Sequence, residues 1–395
     1  MPLKFRYNDC AMSANATFDV AVIGAGVFGA WTAWHLVKRG QRVVLLEAYG
    51  PAHNRASSGG ESRIIRMGYG PDEIYTRWSQ RSLTQWKDLF VVAGEKLFLQ
   101  TGVLWMAGEG DPYLQDSIAN LRRFGVKHEV LNRRELEARY PQVNFENVAC
   151  GMLETESGVL LARRAVSCLV EGARQAGVQF RIARIALPRG DGNLDSVLTN
   201  SGERLSAGSF VFACGPWLGK VFPEVLGSRI FPTRQEVFFF GSPAGDSRFT
   251  PPALPTWLFQ GDEVYGMPDI ESRGLKLALD RHGERVDPDT QSRLPTREAI
   301  DWARSYVARR FPALKDAPIT ETRVCQYENT SNGDFLIDRH PALSNVWLAG
   351  GGSGHGFKHG PAFGEYAAAR VLGEGAAEPR FSLESKATEQ KRSVH

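Results

Sequence analysis

The chain has 395 residues, 43% of them apolar and 23% charged, which calls for two or three folding units and excludes a disordered, collagen-like or coiled-coil protein. Lys plus Arg (47) against Asp plus Glu (44) leaves a net charge of +3, too little for a nucleic-acid surface, so a small-molecule partner is expected. No stretch approaches the ~20 apolar residues of a membrane span, and residues 1–17 lack the apolar core of a signal peptide. A soluble cytoplasmic protein without a membrane partner is therefore expected, with Met12 as an alternative start because residues 1–16 show no periodicity.

In chain order, 18–23 is a short apolar run rich in β-branched residues, 27–39 reads as a helix ended by Gly40, and 42–47 is a second buried strand. This is a β-α-β unit. Residues 161–176 form an amphipathic helix with Ala165, Val166, Leu169, Val170 and Ala173 on one face and Gly177 just past its end. A strand at 209–213 runs into Cys214-Gly215-Pro216-Trp217. Segments 234–240 and 263–279 carry strand-like residues and turn signals, suggesting an antiparallel sheet inserted into a dinucleotide-binding framework. A helix at 297–311 starts after Thr296 and is stopped by Pro312. A last strand, 345–349, enters Gly350-Gly351-Gly352-Ser353-Gly354 and a helix over 361–372, and the polar stretch 385–395 is expected to fray.

Many of the 41 glycines fall into two clusters, near the start and near the end. In the first, Gly24-Ala25-Gly26-Val27-Phe28-Gly29 fits G-x-G-x-x-G between a strand and a helix. Gly24 permits the tight turn, Gly26 lets backbone approach a pyrophosphate at the helix N-terminus, and Gly29 lets helix pack on strand. Glu47, 18 residues beyond Gly29, ends the second strand where it can accept hydrogen bonds from a ribose 2′-OH and disfavours a 2′-phosphate. The fingerprint predicts an adenine dinucleotide and does not choose FAD from NAD. The five cysteines, 10, 150, 168, 214 and 325, are odd in number and scattered, without C-x-x-C or histidines at ligand spacing, so neither disulfides nor a metal site is expected.

Four further segments occur in a telling order: Arg55-Ala-Ser-Ser-Gly-Gly-Glu-Ser-Arg-Ile-Ile-Arg66, Cys325-Gln-Tyr327-Glu-Asn-Thr, Asp334-Phe-Leu-Ile-Asp-Arg-His-Pro341 and Gly354-His355-Gly-Phe-Lys358. Over 18–381 the chain resembles the monomeric sarcosine oxidase family of flavin amine oxidases, in the D-amino-acid-oxidase superfamily. The resemblance implies a two-domain α/β fold. A Rossmann-like FAD domain of p-hydroxybenzoate hydroxylase type would be built from 1–92, 152–229 and 320–395. A sheet-rich substrate domain would come from 93–151 and 230–319.

It further implies that FAD is bound through a thioether from Cys325 to the flavin 8α-methyl carbon, while Cys10, Cys150, Cys168 and Cys214 read as buried core thiols. Arg66 and Lys358 match the family's clamp on a substrate carboxylate, a guanidinium fork and an ammonium. Lys276 matches the lysine that promotes reaction of reduced flavin with oxygen; from the residues alone it reads equally as an edge-strand lysine. Tyr265 and Tyr327 match tyrosines lining the substrate cavity, and Ser62, Arg63, Gly354, His355 and Gly356 fall in segments that approach the flavin. The implied activity is oxidation of a secondary (N-alkyl or cyclic) amino acid by hydride transfer to FAD, with O2 reduced to H2O2, in a monomer. A deglycating oxidase of fructosyl amino acids and a dehydrogenase with another acceptor are the alternatives. Two departures bear on substrate choice: Ser58-Gly59 stands where sarcosine oxidase has a histidine pair, and Asp280 stands where it has a histidine four residues past the oxygen lysine.

Overall fold

The computed structural model describes residues 18–387; Cys10, the alternative start at Met12 and the tail 388–395 lie outside the described residues. Runs apolar on both faces form the first sheet. In spatial order its strands are Leu336–Arg339, Val346–Gly350, Arg204–Phe212, Phe18–Ile23, Val43–Glu47 and Gln179–Ile182, with Ser196–Leu198 pairing off Arg204–Phe212. The middle strands are parallel and in register through Val20 with Val43 and Ile23 with Phe212. Parallel strands need coverage on both sides, and Val20, Val22, Leu45, Phe210 and Val211 are accordingly buried.

The fingerprint helix Val27–Lys38 packs against the C-terminal helix Gly360–Val371 and against Ala162–Gln175. Its contact with the C-terminal helix needs a residue without a side chain, because a Cβ on Gly364 would lie 2.5 Å from the Trp31 carbonyl carbon.

The second sheet has eight strands in the order Ile319–Thr330, Ile230–Phe240, Leu275–Leu279, Val264–Met267, Thr256–Phe259, Val103–Ala107, Cys150–Glu154 and His128–Asn132. One face packs Phe238, Phe240, Trp257 and Leu277 against Ala303 and Val307 of the helix Arg297–Arg310. The other face carries Val237, Phe239, Tyr265 and Lys276 into a cavity that Arg63, Arg66, Gly354 and Lys358 also line. The expectation of an antiparallel sheet needs one correction: Thr256–Phe259 runs parallel to Val103–Ala107. These two strands come from widely separated segments, so no hairpin imposes opposite directions. The expected segment edges at 152 and 320 fall inside Cys150–Glu154 and Ile319–Thr330, both strands of this second sheet. A small sheet of Arg63–Ile65, Gly158–Leu160 and Phe98–Leu99 lies apart from both.

The fraying expected from residue 385 does not hold for residues 385–387. Glu384–Lys386 is a 3-10 turn, Lys386 is buried, its ammonium donates to the Arg380 carbonyl (2.6 Å), and its carbonyl accepts from Ser331 Oγ (2.8 Å). Sequence polarity there reflects internal hydrogen bonding rather than exposure.

Candidate active site

The glycine turn sits where the first sheet's strands end. Gly24 has φ +104°, and a Cβ there would lie 2.3 Å from the Ala213 carbonyl oxygen, so the turn passes close under the end of Arg204–Phe212. Gly26 caps the following helix without a side chain, leaving the first-turn amides facing the space in front of it. The buried Glu47 carboxylate closes this end. It accepts from Ala25 N (2.8 Å) and Tyr49 N (3.2 Å) and faces His53 Nε2 (3.4 Å).

From here a cleft of about 760 Å³ runs past Ser57, Ser58 and Cys214 to Glu328 and Gly354. Arg63, Tyr327, Gly354 and Phe357 line both this cleft and a smaller cavity of about 70 Å³ bordered by Arg66, Tyr265, Lys276, Asp280, Cys325 and Lys358. Residues from the two ends of the chain thus border adjoining spaces. Gly354 (φ +81°) and Gly356 admit aromatic rings, since Cβ atoms there would lie 2.8 Å from Tyr327 and 2.7 Å from Phe28.

Cys325 lies on Ile319–Thr330 opposite Gln235. Its Sγ is 3.7 Å from Arg63 Nη2, which comes from 262 positions away, and 3.8 Å from the Ser57 carbonyl. The Arg63 guanidinium also donates to the carbonyls of Ser57 (2.5 Å) and Ser62 (2.8 Å), so positive charge is fixed beside the thiol.

Lys276 is in an interior strand, between Ile230–Phe240 and Val264–Met267, which removes the edge-strand reading. Its Nζ donates to Ser62 O (3.0 Å) and Ser62 Oγ (3.2 Å). Burial, and then the Arg63 charge, hold its pKa well below that of an ordinary lysine. Lys358 is likewise buried, and its Nζ donates to Tyr69 OH (2.7 Å) and His355 O (3.0 Å). Burial and the Arg66 charge push its pKa down.

The Arg66 guanidinium donates to the Gly68 carbonyl and lies over the rings of Tyr69 (4.3 Å) and Trp105 (4.6 Å). Burial pushes the Tyr265 phenol up to about 12 and Tyr327 well above the ordinary phenol value, so both are neutral hydroxyls in the cavity wall. The His355 ring stacks on Phe335 (4.9 Å) and reaches Tyr69 OH (3.3 Å) and the Gly333 carbonyl (3.2 Å).

Sequence reasoning missed several residues around the site. Glu154 is fully buried and accepts from Met67 N (2.7 Å), Gly68 N (2.9 Å), Trp105 Nε1 (2.9 Å) and Ser157 Oγ (2.5 Å). It thereby fixes both the loop that follows Arg66 and the ring beneath that guanidinium. Tyr69 joins Lys358 to His359 Nε2 (2.7 Å). The one available hint was a glutamate closing the apolar run of Cys150–Glu154. Of the reading of Cys150, Cys168 and Cys214 as buried core thiols, the core packing is observed but full burial is not: all three are half-buried against the apolar clusters, and Cys214 also lines the cleft, because it follows the strand end directly below the glycine turn.

The cleft fits an adenine dinucleotide on its own chemistry. Unencumbered helix amides suit phosphates, the Glu47 carboxylate suits ribose hydroxyls, and one oxygen of the buried Glu328 carboxyl has no hydrogen-bond partner among the described residues. Among those residues no cluster of three or more His, Cys, Asp or Glu is placed to hold a metal, and no helix is long and apolar enough to cross a membrane.

Comparison with known proteins agrees with this fit. The chain is 34% identical to the peroxisomal sarcosine oxidase of Homo sapiens over 356 residues, 88% of this chain and 90% of that one. It is 30% identical to the monomeric sarcosine oxidase of Streptomyces avermitilis over 370 residues, covering 92% and 96% of the two. Among solved structures, L-proline dehydrogenase from P. horikoshii superposes with a TM-score of 0.80 at 22% identity, over 95% of this chain and 99% of that one, a likeness of fold. The family model for FAD dependent oxidoreductases matches residues 19–370, and the chain belongs to this family, DAO.

Proposed function

We propose that the protein is an oxidase of secondary amino acids, N-alkyl or cyclic, with O2 as acceptor and H2O2 as a product. The observation that carries this reading is the meeting of Arg66, Lys358 and Lys276 around one small cavity that adjoins the dinucleotide cleft. Bound FAD would supply the chemistry, accepting a hydride from the carbon next to the substrate nitrogen. The relatives' printed names, sarcosine oxidase, support the substrate class.

The chain's own residues bind, orient and set charge. Arg66 and Lys358 take the substrate carboxylate, and Tyr265 and Tyr327 wall the cavity with neutral hydroxyls. Lys276 stands close to Ser62 and Arg63; negative charge developing near it favours its protonated form and is stabilised in turn. Gly24, Gly26, Gly29 and Glu47 hold the adenine half, while Ser62, Arg63, Gly354, His355 and Gly356 approach the ring. Cys325 makes the covalent attachment, its Sγ lying 3.7 Å from the Arg63 guanidinium. Asp280, on the cavity wall, bears on which N-substituent is accepted. The working unit is a cytoplasmic monomer, with the FAD-binding segments 1–92, 152–229 and 320–395 enclosing the substrate segments 93–151 and 230–319.

Purified holoenzyme should release peroxide from at least one of sarcosine, pipecolate and N-methyltryptophan in air. Reduction of the flavin by these amines without oxygen, followed by only slow reoxidation in air, would replace the oxidase reading with a dehydrogenase. Peroxide from fructosyl-glycine alone would replace it with a deglycating enzyme.

A further inference from the structure

Glu328 is adjacent to Tyr327, on the strand Ile319–Thr330, yet neither the fingerprint nor the family motifs assign it a task. Its side chain is buried, lines the large cleft, and has one carboxyl oxygen, Oε1, without a hydrogen-bond partner among the described residues. A Cβ on Gly350 would lie 2.3 Å from that oxygen, so the carboxyl as placed fills the space beside Gly350. A buried carboxyl oxygen left unpaired is costly unless something in the cleft meets it.

Position narrows what that is. Tyr327, which lines both the cleft and the small cavity bordered by Cys325, marks the ring end, and Gly24 marks the phosphate end. Glu328 lies between, in the same cleft as Cys214 and Glu47. Its facing position on Ile230–Phe240 is Pro232, which brings no charge, and Arg63 lines the same cleft.

On the reading that the cleft holds FAD, we propose that Glu328 is a cofactor-holding residue whose carboxyl, as the neutral acid, donates a hydrogen bond to the hydroxyl-bearing chain joining the flavin ring to the phosphates. An ionised carboxylate would instead repel the neighbouring phosphates. Burial outweighs the amides of Gly351 and Gly352, which favour the anion, and pushes this carboxyl up to about 8. Above that value the donor is lost.

The test is FAD affinity, read by flavin fluorescence in the Cys325→Ser protein so that binding is reversible. Between pH 7 and pH 9 the FAD dissociation constant should rise about tenfold, and in Cys325→Ser/Glu328→Gln, which keeps a donor that does not ionise, it should stay flat. A flat profile in Cys325→Ser itself overturns the proposal without recourse to the second variant. The same rise in both proteins also overturns it, and leaves the substrate assignment untouched because the protein still takes up flavin. Failure to bind FAD at any pH would sink this proposal and the cofactor reading together.

Discussion

Lys358 and Tyr69, 289 positions apart, share a 2.7 Å hydrogen bond in which the ammonium donates to a buried phenol. Burial drives the phenol's pKa up, so Tyr69 stays neutral and accepts without offsetting the positive charge. That charge is therefore available to a substrate carboxylate. Because the Lys358 pKa is lowered, the charged form is lost at a lower pH than for an ordinary lysine. Affinity for a carboxylate ligand should accordingly fall as pH rises, in a window beginning below the ordinary lysine value of 10.5. Lys358→Met should abolish that dependence and weaken binding by about 1.5–3 kcal/mol. Spectral titration with a carboxylate analogue across pH measures both.

Replacing Lys276 by Met should separate the two halves of the reaction. Anaerobic reduction by substrate should change only a few-fold, while reoxidation by O2 should slow by at least about tenfold, about 1.4 kcal/mol in the barrier. Stopped-flow absorbance resolves the two steps, and equal slowing of both would assign Lys276 to positioning alone.

The covalent link is tested by acid precipitation. Wild-type protein should keep its yellow colour in the pellet, whereas Cys325→Ser should release its flavin to the supernatant. Equal release from both would leave the Sγ–Arg63 contact of 3.7 Å as a packing feature.

Glu154 links stability to substrate binding. Glu154→Gln turns one of its oxygens into a donor facing donors, which should cost about 1–3 kcal/mol of folding stability. It should also raise KM more than it lowers kcat, because the loop after Arg66 and the Trp105 ring under that guanidinium lose their common anchor. Thermal melting and steady-state kinetics with the fastest substrate provide the readouts.

The parts of the fold that were legible are those whose burial shows in short spans. Strands at 18–23, 42–47 and 345–349 are apolar on both faces because helices cover the parallel sheet, and each appears within a residue of its expected bounds, whereas the strand expected at 209–213 begins five residues earlier, at Arg204, where exposed and buried residues alternate. Helices expected over 161–176 and 297–311 are found as Ala162–Gln175 and Arg297–Arg310, stopped where Gly177 and Pro312 require. The second sheet was legible only in fragments. Its pairing of Val103–Ala107 with Thr256–Phe259 joins distant segments, which local periodicity does not encode. Tyr69, Glu154 and Glu328 were missed for the same reason: each matters through what lies opposite it in space. Glu154, for example, meets its Met67 and Gly68 donors 87 and 86 positions back.

The central strand Phe18–Ile23 has Arg204–Phe212 on one side, with Val346–Gly350 beyond it. Gly24 and Glu47 at one end of the cleft and Glu328 and Gly354 at the other come from opposite ends of the described residues, so the site closes only once long-range contacts have formed. A chain that lacks Gly360–Val371 would keep the fingerprint and lose the helix that packs on Trp31.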